Sequence, residues 1–510
     1  MYRVSTTVAL SWNLIPRFFQ WCIAGGLLGI GFLVPMLWLG VVPGIVMFLF
    51  LCSKSTHLRS AIWGGIVTWS IKSLCAVVWF WYVFPFNAWL SVGGWWGEVL
   101  IVSVSWLVSG IALGMGGALC AGLMWTLYNR LRLPLWLLAP LLPALWVVAE
   151  MTGSFVFSLV TSGPGSFLQS YFSFGYIGYL FGLSELGVLL SGVAGVYGLT
   201  FLLVGICTVT YFCPKTRWYI PFGVFILLLG VLQYTSVAQH VFYPRSLQNI
   251  TVAVIDTKFA AEKVLAEGGL EVKKTALDQA VETALVLNPD FVLLPEDSQY
   301  LNLVYARPTI KQSFAMYQFS HSTSSSVIVD SGRTELETGT LVERARLFSG
   351  TAGYLHEFDK QYLVPQGEFI PYVFRLMLKL SGAALSVLSQ PSVGRFEPGP
   401  LKQVGNIDSS VPGILFCFES ARPDGATALI NDRNEPTFIV HPVSHAWFHN
   451  PKLLWVQLEV MLRIQARMAQ VPIVSSGNMT TGRTYFPDGT VVTEAIVTEG
   501  PNWSVRLVAL

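Results

Sequence analysis

Cys417 is the only cysteine after residue 213, and it lies in the apolar run Gly413-Ile414-Leu415-Phe416-Cys417-Phe418-Glu419. That pattern predicts a thiol at the end of a buried strand. Two earlier segments also pass from apolar to polar: Phe291-Val292-Leu293-Leu294-Pro295-Glu296, and the stretch from Phe358 through Lys360 to Glu368 and Phe369. In chain order they supply a carboxylate, an ammonium and a thiol, the groups a thiol acyl-transfer site needs. A free thiol ionises at a pKa of about 8.5 and attacks only as the thiolate. Glu296 would take its proton, and Lys360 would stabilise first the thiolate and then the oxyanion of a tetrahedral intermediate. Glu368, on a Gly-preceded turn eight residues after Lys360, could orient the lysine or serve as a second carboxylate.

The elements that must hold these groups follow from apolar patterning in the second half. Strands are predicted at 250–255, 291–294, 326–330, 352–358, 413–418, 437–441, 473–475 and 482–486. Helices are predicted at 260–287 and 453–469, where apolar residues recur at helical spacing. Strands alternating with long helices indicate an α/β layered domain, here 251–510 after a linker at 237–250. The mostly apolar stretch 374–399, with Pro391 and Pro398, separates the lysine segment from the cysteine strand and reads as a lid loop.

The first half is of a different kind. Residues 1–236 carry nine Lys/Arg and three Asp/Glu, and the other 48 charges fall in the remaining 274 residues. Seven apolar stretches are long enough to suggest membrane spans: two within 18–52, then 61–83, 100–128, 133–151, 186–211 and 219–234. Lysines and arginines flank alternate loops (Arg3 and Arg17, Lys54 and Arg59, Arg130 and Arg132, Lys215 and Arg217), while 35–40, 84–99 and 152–185 have none. The basic loops mark the cytoplasmic side, so after an odd number of spans the second half emerges on the other side, the periplasm of a Gram-negative cell. The aromatic loop 152–185 reads as an interfacial anchor or as a platform that brings lipid to the soluble half. Lys72 and Glu150 are ionisable groups within apolar segments and call for partners or water.

The phrases Leu294-Pro295-Glu296-Asp297-Ser298, Lys360 through Val364-Pro365-Gln366-Gly367-Glu368-Phe369, Cys417-Phe418-Glu419 and Ala446-Trp447-Phe448 give the second half a resemblance to the nitrilase (carbon-nitrogen hydrolase) superfamily. Together with the segments 143–150 and 195–202, nearly the whole chain resembles the apolipoprotein N-acyltransferase family. The resemblance implies an αββα sandwich after a multi-span helical bundle. It implies Glu296 as base, Lys360 as charge stabiliser and Cys417 as nucleophile, supported by Glu368, Glu419 and Trp447. The reaction implied is ping-pong transfer of an acyl chain from a phospholipid to the amine of an S-diacylglyceryl cysteine on a lipoprotein, at a bacterial inner membrane, by a monomer without cofactor. The chain departs from the family pattern in Phe418, where tyrosine is usual, in Ser444-His445 for Asn-Asp, in the absent Gln-His near Trp455, in Asp256-Thr257, and in lacking a final span.

Other readings are weaker. His441, His445 and His449 recur every four residues, but Pro442 and the preceding strand argue for a loop rather than a helical metal site. A net charge of +2 gives no reason to expect nucleic acid. A membrane-tethered amidase, in which water resolves the thioester, and a catalytically silent scaffold are the alternatives.

Overall fold

The computed structural model describes residues 15–86, 94–212, 250–380, 396–402, 411–430 and 436–510. The expected seventh span, most of the linker, the basic residues Arg3, Lys215 and Arg217, and the centre of the 374–399 stretch lie outside the described residues.

Six of the expected spans are helical. They are α1 (Arg17–Leu33), α2 (Val41–Lys54, entered through a 3-10 turn), α3 (Leu58–Ala76), α4 (Gly94–Gly114) running on into α5 (Gly116–Trp125), α6 (Leu135–Val160), and α8 (Glu185–Phe212), which follows the short α7 (Ile177–Phe181). Four of these helical stretches are long and apolar enough to cross a membrane: Pro35–Lys54, Gly94–Arg130, Leu135–Val160 and Glu185–Phe212. Helices approach closely where residues are small, as bundles in lipid require. A methyl group on Gly65 would overlap the Gly117 carbonyl, and one on Gly117 would overlap that of Gly65. The same logic corrects the expected loop at 152–185. Gly153 seats against the Leu113 carbonyl, so the small polar run after Met151 stays helical as far as Val160. Inside the bundle Lys72 meets Glu150 at 3.7 Å and lies 4.3 Å from the centre of the Trp69 ring, which supplies the partner each apolar segment called for.

The second half is layered. One continuous hydrogen-bonded path runs β10 (Val491–Val492), β9 (Thr484–Tyr485), β8 (Ile473–Asn478), β1 (Thr251–Thr257), β2 (Phe291–Leu293), β3 (Val327–Glu335), β4 (Leu341–Ser349), β5 (Gly353–Asp359). From it branch β7 (Ile439–Ser444), parallel to β8, with β6 (Gly413–Ile414) beside it, and β12 (Trp503–Ala509), antiparallel to β1, with β11 (Ile496–Gly500) beside it. Alternation along the strands sorts the cores, since neighbouring residues face opposite ways. Ala253, Ile255 and Val292 face outward onto α9 (Gly269–Val286) and α10 (Ile310–Ser320) through Leu277, Val281, Phe314 and Tyr317. Val252, Val254 and Leu293 face inward onto Ile414, Val440 and Val474. Ile439 and Ile473 face outward again, onto Leu462 and Ala466 of α12 (Lys452–Ala469). The order is helix, sheet, sheet, helix, the expected αββα sandwich. Between β5 and α12, α11 (Tyr372–Leu380) opens the 374–399 stretch with Leu376 and Met377 exposed.

The long predicted helix at 260–287 is broken at Gly268, where φ is +74°, and α9 starts after it. The hairpin partner β4 and the terminal strands β11 and β12 fall outside the predicted strands, although Trp503, Val505 and Leu507 of β12 alternate with Ser504 and Arg506. The two halves share one apolar core, in which Leu454, Met461 and Ile464 of α12 pack with Phe181 and Val196 of the bundle. Polar ties cross the same seam: Gln457 donates to the Ala76 carbonyl at 2.9 Å, and Arg463 pairs with Glu185 at 2.8 Å.

Candidate active site

Glu296 follows β2 after Leu294, whose N–H reaches the Val329 carbonyl, and Pro295. The backbone then takes two left-handed residues, Asp297 (φ +55°) and Gln299 (φ +57°), a conformation that non-glycine residues adopt only where their surroundings hold it. Asp330 does the holding: it accepts from Ser298 Oγ and from the N–H groups of Tyr300 (3.1 Å) and Leu301 (3.0 Å). Arg333 pairs with Asp297 at 3.0 Å, which keeps the turn closed from the other side.

Lys360 comes directly after β5, with its N–H on the Glu343 carbonyl at 2.9 Å. Its side chain is fully buried. Nζ donates to Glu296 Oε1 at 2.9 Å and to Glu368 Oε1 at 2.6 Å. The eight-residue spacing is explained by the turn between them. Glu368 gives its N–H to the Val364 carbonyl and takes the Val364 N–H on Oε2 at 2.8 Å, while buried Leu363 and Phe369 pin the turn from below.

The cysteine is not at a strand end as expected. Strand β6 stops at Ile414, and Cys417 opens a 3-10 turn, Cys417–Ala421. The cause is Glu419, whose Oε2 takes the Phe416 N–H at 3.2 Å while Oε1 takes those of Gln361 (2.8 Å) and Tyr362 (3.2 Å). Glu419 therefore ties the nucleophile turn to the lysine loop. The carbonyls of the turn are held from three directions: that of Cys417 by Ser420 Oγ with His441 Nε2 at 3.4 Å, that of Ser420 by Gln465 at 2.7 Å, and that of Ala421 by Ser173 of the bundle.

Burial and neighbouring charge shift every ionisable group of the site. Burial pushes Glu296 up to about 7, against the opposing pull of Lys360. Burial also pushes the Cys417 thiol up, and Glu296 adds to this, while Lys360 and the backbone N–H of Ser444 pull it back. Desolvation would lower Lys360, but Glu296, Glu368 and Cys417 together hold it well above its usual value, so it stays charged. Glu343, 3% exposed with no hydrogen-bond partner at Oε1, is pushed well above the carboxylate range by burial and by Asp297 and Glu296.

The fold thus brings Glu296, Lys360 and Glu368 into one hydrogen-bonded cluster, couples Cys417 to it electrostatically, and connects Glu419 to both loops. Trp447 lies half-buried in the turn after β7, three residues past Ser444. The histidines do not gather: His441 meets Ser475 Oγ at 3.1 Å, His445 accepts from Trp455 at 2.8 Å, and exposed His449 reaches the Pro85 carbonyl. Burial lowers His441 to about 4 and His445 to about 3, so both are neutral at pH 7. No group of His, Cys, Asp or Glu among the described residues could hold a metal ion.

Asp330, Glu343 and Ser173 escape sequence reading. Asp330 follows the apolar run Val327-Ile328-Val329, the one signal that could have found it, whereas Glu343 lies in the charged stretch Glu343-Arg344-Ala345-Arg346 and carries none. Ser173 carries no signal at all, since its partner is 248 residues away.

The loop 161–176 forms one wall of the site. Tyr171, Phe172, Phe174 and Tyr176 are buried in it: Tyr171 and Phe172 are each 6.1 Å from Phe418, Tyr171 is 5.5 Å from Tyr362, and Gln169 accepts from the Tyr362 hydroxyl at 3.0 Å.

No protein-family profile matches the chain, and no curated protein matches it in sequence. Among solved structures it is similar to Nit3 of Saccharomyces cerevisiae, a member of branch 10 of the nitrilase superfamily, at 15% identity over 52% of this chain and 90% of that one, with a TM-score of 0.35. It is similar to the amidase from Nesterenkonia sp. AN1, at 12% identity over 52% and 92% with a TM-score of 0.34, and to a carbon-nitrogen hydrolase from Helicobacter pylori, at 12% identity over 51% and 88% with a TM-score of 0.32.

Proposed function

We propose that this chain is a membrane-embedded acyltransferase of the nitrilase type, which moves a fatty acyl chain from a phospholipid to the N-terminal amine of an S-diacylglyceryl-cysteine lipoprotein through a thioester on Cys417. The observation that carries the reading is the buried Glu296–Lys360–Glu368 cluster, coupled to the Cys417 thiol and walled by a loop of the membrane half.

In the first half-reaction Glu296 takes the Cys417 proton as the sulfur attacks the ester carbonyl. A base with a pKa of about 7 is matched to neutral operation. Lys360 spends two of its three N–H donors on Glu296 and Glu368, and the third is free for the oxyanion. Collapse of the tetrahedral intermediate breaks the ester C–O bond, and protonated Glu296 returns its proton to the departing lysophospholipid. In the second half-reaction the lipoprotein amine attacks the thioester and loses a proton to Glu296. The C–S bond then breaks, and Glu296 reprotonates the sulfur. The alternation of basic loops supports a periplasmic position for this chemistry at an inner membrane, where both lipid substrates are found. The apolar wall around Phe418 favours a lipid donor over a small hydrophilic amide.

The test is intact-mass spectrometry of the purified protein incubated with phospholipid. An acyl adduct on Cys417 that Cys417→Ser abolishes, together with complementation of a strain depleted of its lipoprotein N-acylating enzyme, supports the reading. Adduct formation without complementation would retain the thioester chemistry and reject the lipoprotein as acceptor.

A further inference from the structure

We propose that Ser173, on the membrane half, is a positioning residue for the nucleophile, so that the bundle sets the reactivity of Cys417. This rests on the reading of Cys417 as the nucleophile. Ser173 is fully buried and makes two bonds to one atom: its N–H reaches the Ala421 carbonyl at 3.1 Å and its Oγ at 2.7 Å. Ala421 ends the 3-10 turn that Cys417 begins. A short helical turn has few internal bonds, and its last carbonyls need outside donors. Gln465 and His441 supply theirs from within the soluble half, and Ser173 supplies its own from the bundle.

Ser173 is itself held. Its Oγ is 2.9 Å from the Tyr179 hydroxyl, and its carbonyl accepts the Tyr176 N–H at 3.1 Å. One residue before it, the Phe172 N–H is taken by Ser154 of α6 at 3.0 Å. Four residues after it, the Ile177 N–H is taken by Glu150 at 2.8 Å, and Glu150 also takes the Thr200 hydroxyl and faces Lys72. A serine pinned at both flanks by α6 acts as a fixed post rather than as a flexible contact. The turn it fixes must keep the sulfur facing Lys360 and the Ser444 N–H, the two groups that favour the thiolate.

The experiment measures alkylation of Cys417 by iodoacetamide in the full chain in detergent micelles, followed by peptide mass spectrometry across pH 6 to 10, with Cys417→Ala as the blank. A hydrogen bond of this kind changes a rate or an ionisation constant by about 3- to 10-fold. Ser173→Ala should slow alkylation at neutral pH by that factor and move the profile to higher pH, and Ser173→Thr should restore both. If Ser173→Ala does not fold, Tyr179→Phe, which frees the Ser173 hydroxyl, should give a smaller shift in the same direction. A Ser173→Ala profile that superimposes on wild type, a threonine variant that folds but fails to restore, or a Tyr179→Phe profile identical to wild type overturns the proposal. The readout needs no lipid, so failure of the acyl-transfer reading would show separately, as wild-type protein that alkylates normally yet never carries an acyl chain.

Discussion

The ammonium of Lys360 lies 2.9 Å from Glu296 and 2.6 Å from Glu368, and the lysine side chain is fully buried. One cation therefore serves two carboxylates, which makes it the centre of charge for the whole site. A buried pair of this kind is costly to break, because the surviving charge keeps its desolvation without its partner.

Lys360→Met should cut the rate of thioester formation by roughly 10²- to 10³-fold, the typical effect of losing one oxyanion donor. It should also raise Glu296 further, since a proton must take over the role of Nζ. Lys360→Arg should not restore activity, because a planar guanidinium fork cannot aim separate donors at Glu296, Glu368 and the oxyanion as a tetrahedral ammonium does. Adduct formation timed by intact mass decides it, and a methionine variant within a few-fold of wild type would remove Lys360 from the chemistry.

The rate should depend on pH through Glu296. Its folded pKa of about 7 makes thioester formation fall about tenfold per pH unit below that value and level off above it. Glu296→Gln should remove the limb along with most of the activity. For stability the sign is opposite to that of an ordinary paired carboxylate. The folded pKa lies above the unfolded value of about 4.3, so the contribution is fully present below about 4.3 and is lost as pH rises through about 7. A rate profile flat between about pH 5 and 8 would assign the base elsewhere.

Glu419→Gln should disturb the nucleophile turn without touching the sulfur. The carboxylate accepts from Phe416, Gln361 and Tyr362, and an amide can satisfy only one side of that set, because its NH₂ must face a donor. Hydrogen bonds to a charged acceptor are worth about 1.5–3 kcal/mol each, so the variant should unfold at a lower temperature and acylate more slowly. Thermal unfolding followed alongside adduct formation measures both. Unchanged values in the two assays would mean that the turn is held by its other bonds alone.

The six helical spans and the strands carrying Val252, Leu293, Ile414 and Val474 follow from apolar runs and alternation, which are local properties. The types and order of Glu296, Lys360, Glu368 and Cys417 pointed to thiol chemistry before any coordinates, and the eight-residue step from Lys360 to Glu368 matches a turn closed by nearby backbone bonds. Periodicity could not find the end of α6, because what keeps 152–160 helical is the fit of Gly153 against a helix some forty residues away.

The sequence by itself determined the partition into an apolar bundle and a charged layered domain, and the set of groups able to do the chemistry, because burial preference and side-chain type are written in each residue. Only the tertiary structure decided that Cys417 starts a 3-10 turn instead of ending a strand, that β12 closes against β1, and that Ser173 reaches Ala421. Those outcomes depend on which distant donor finds which acceptor once the chain has collapsed, and a hydrogen bond between residues 248 positions apart leaves no periodic trace in either partner's neighbourhood.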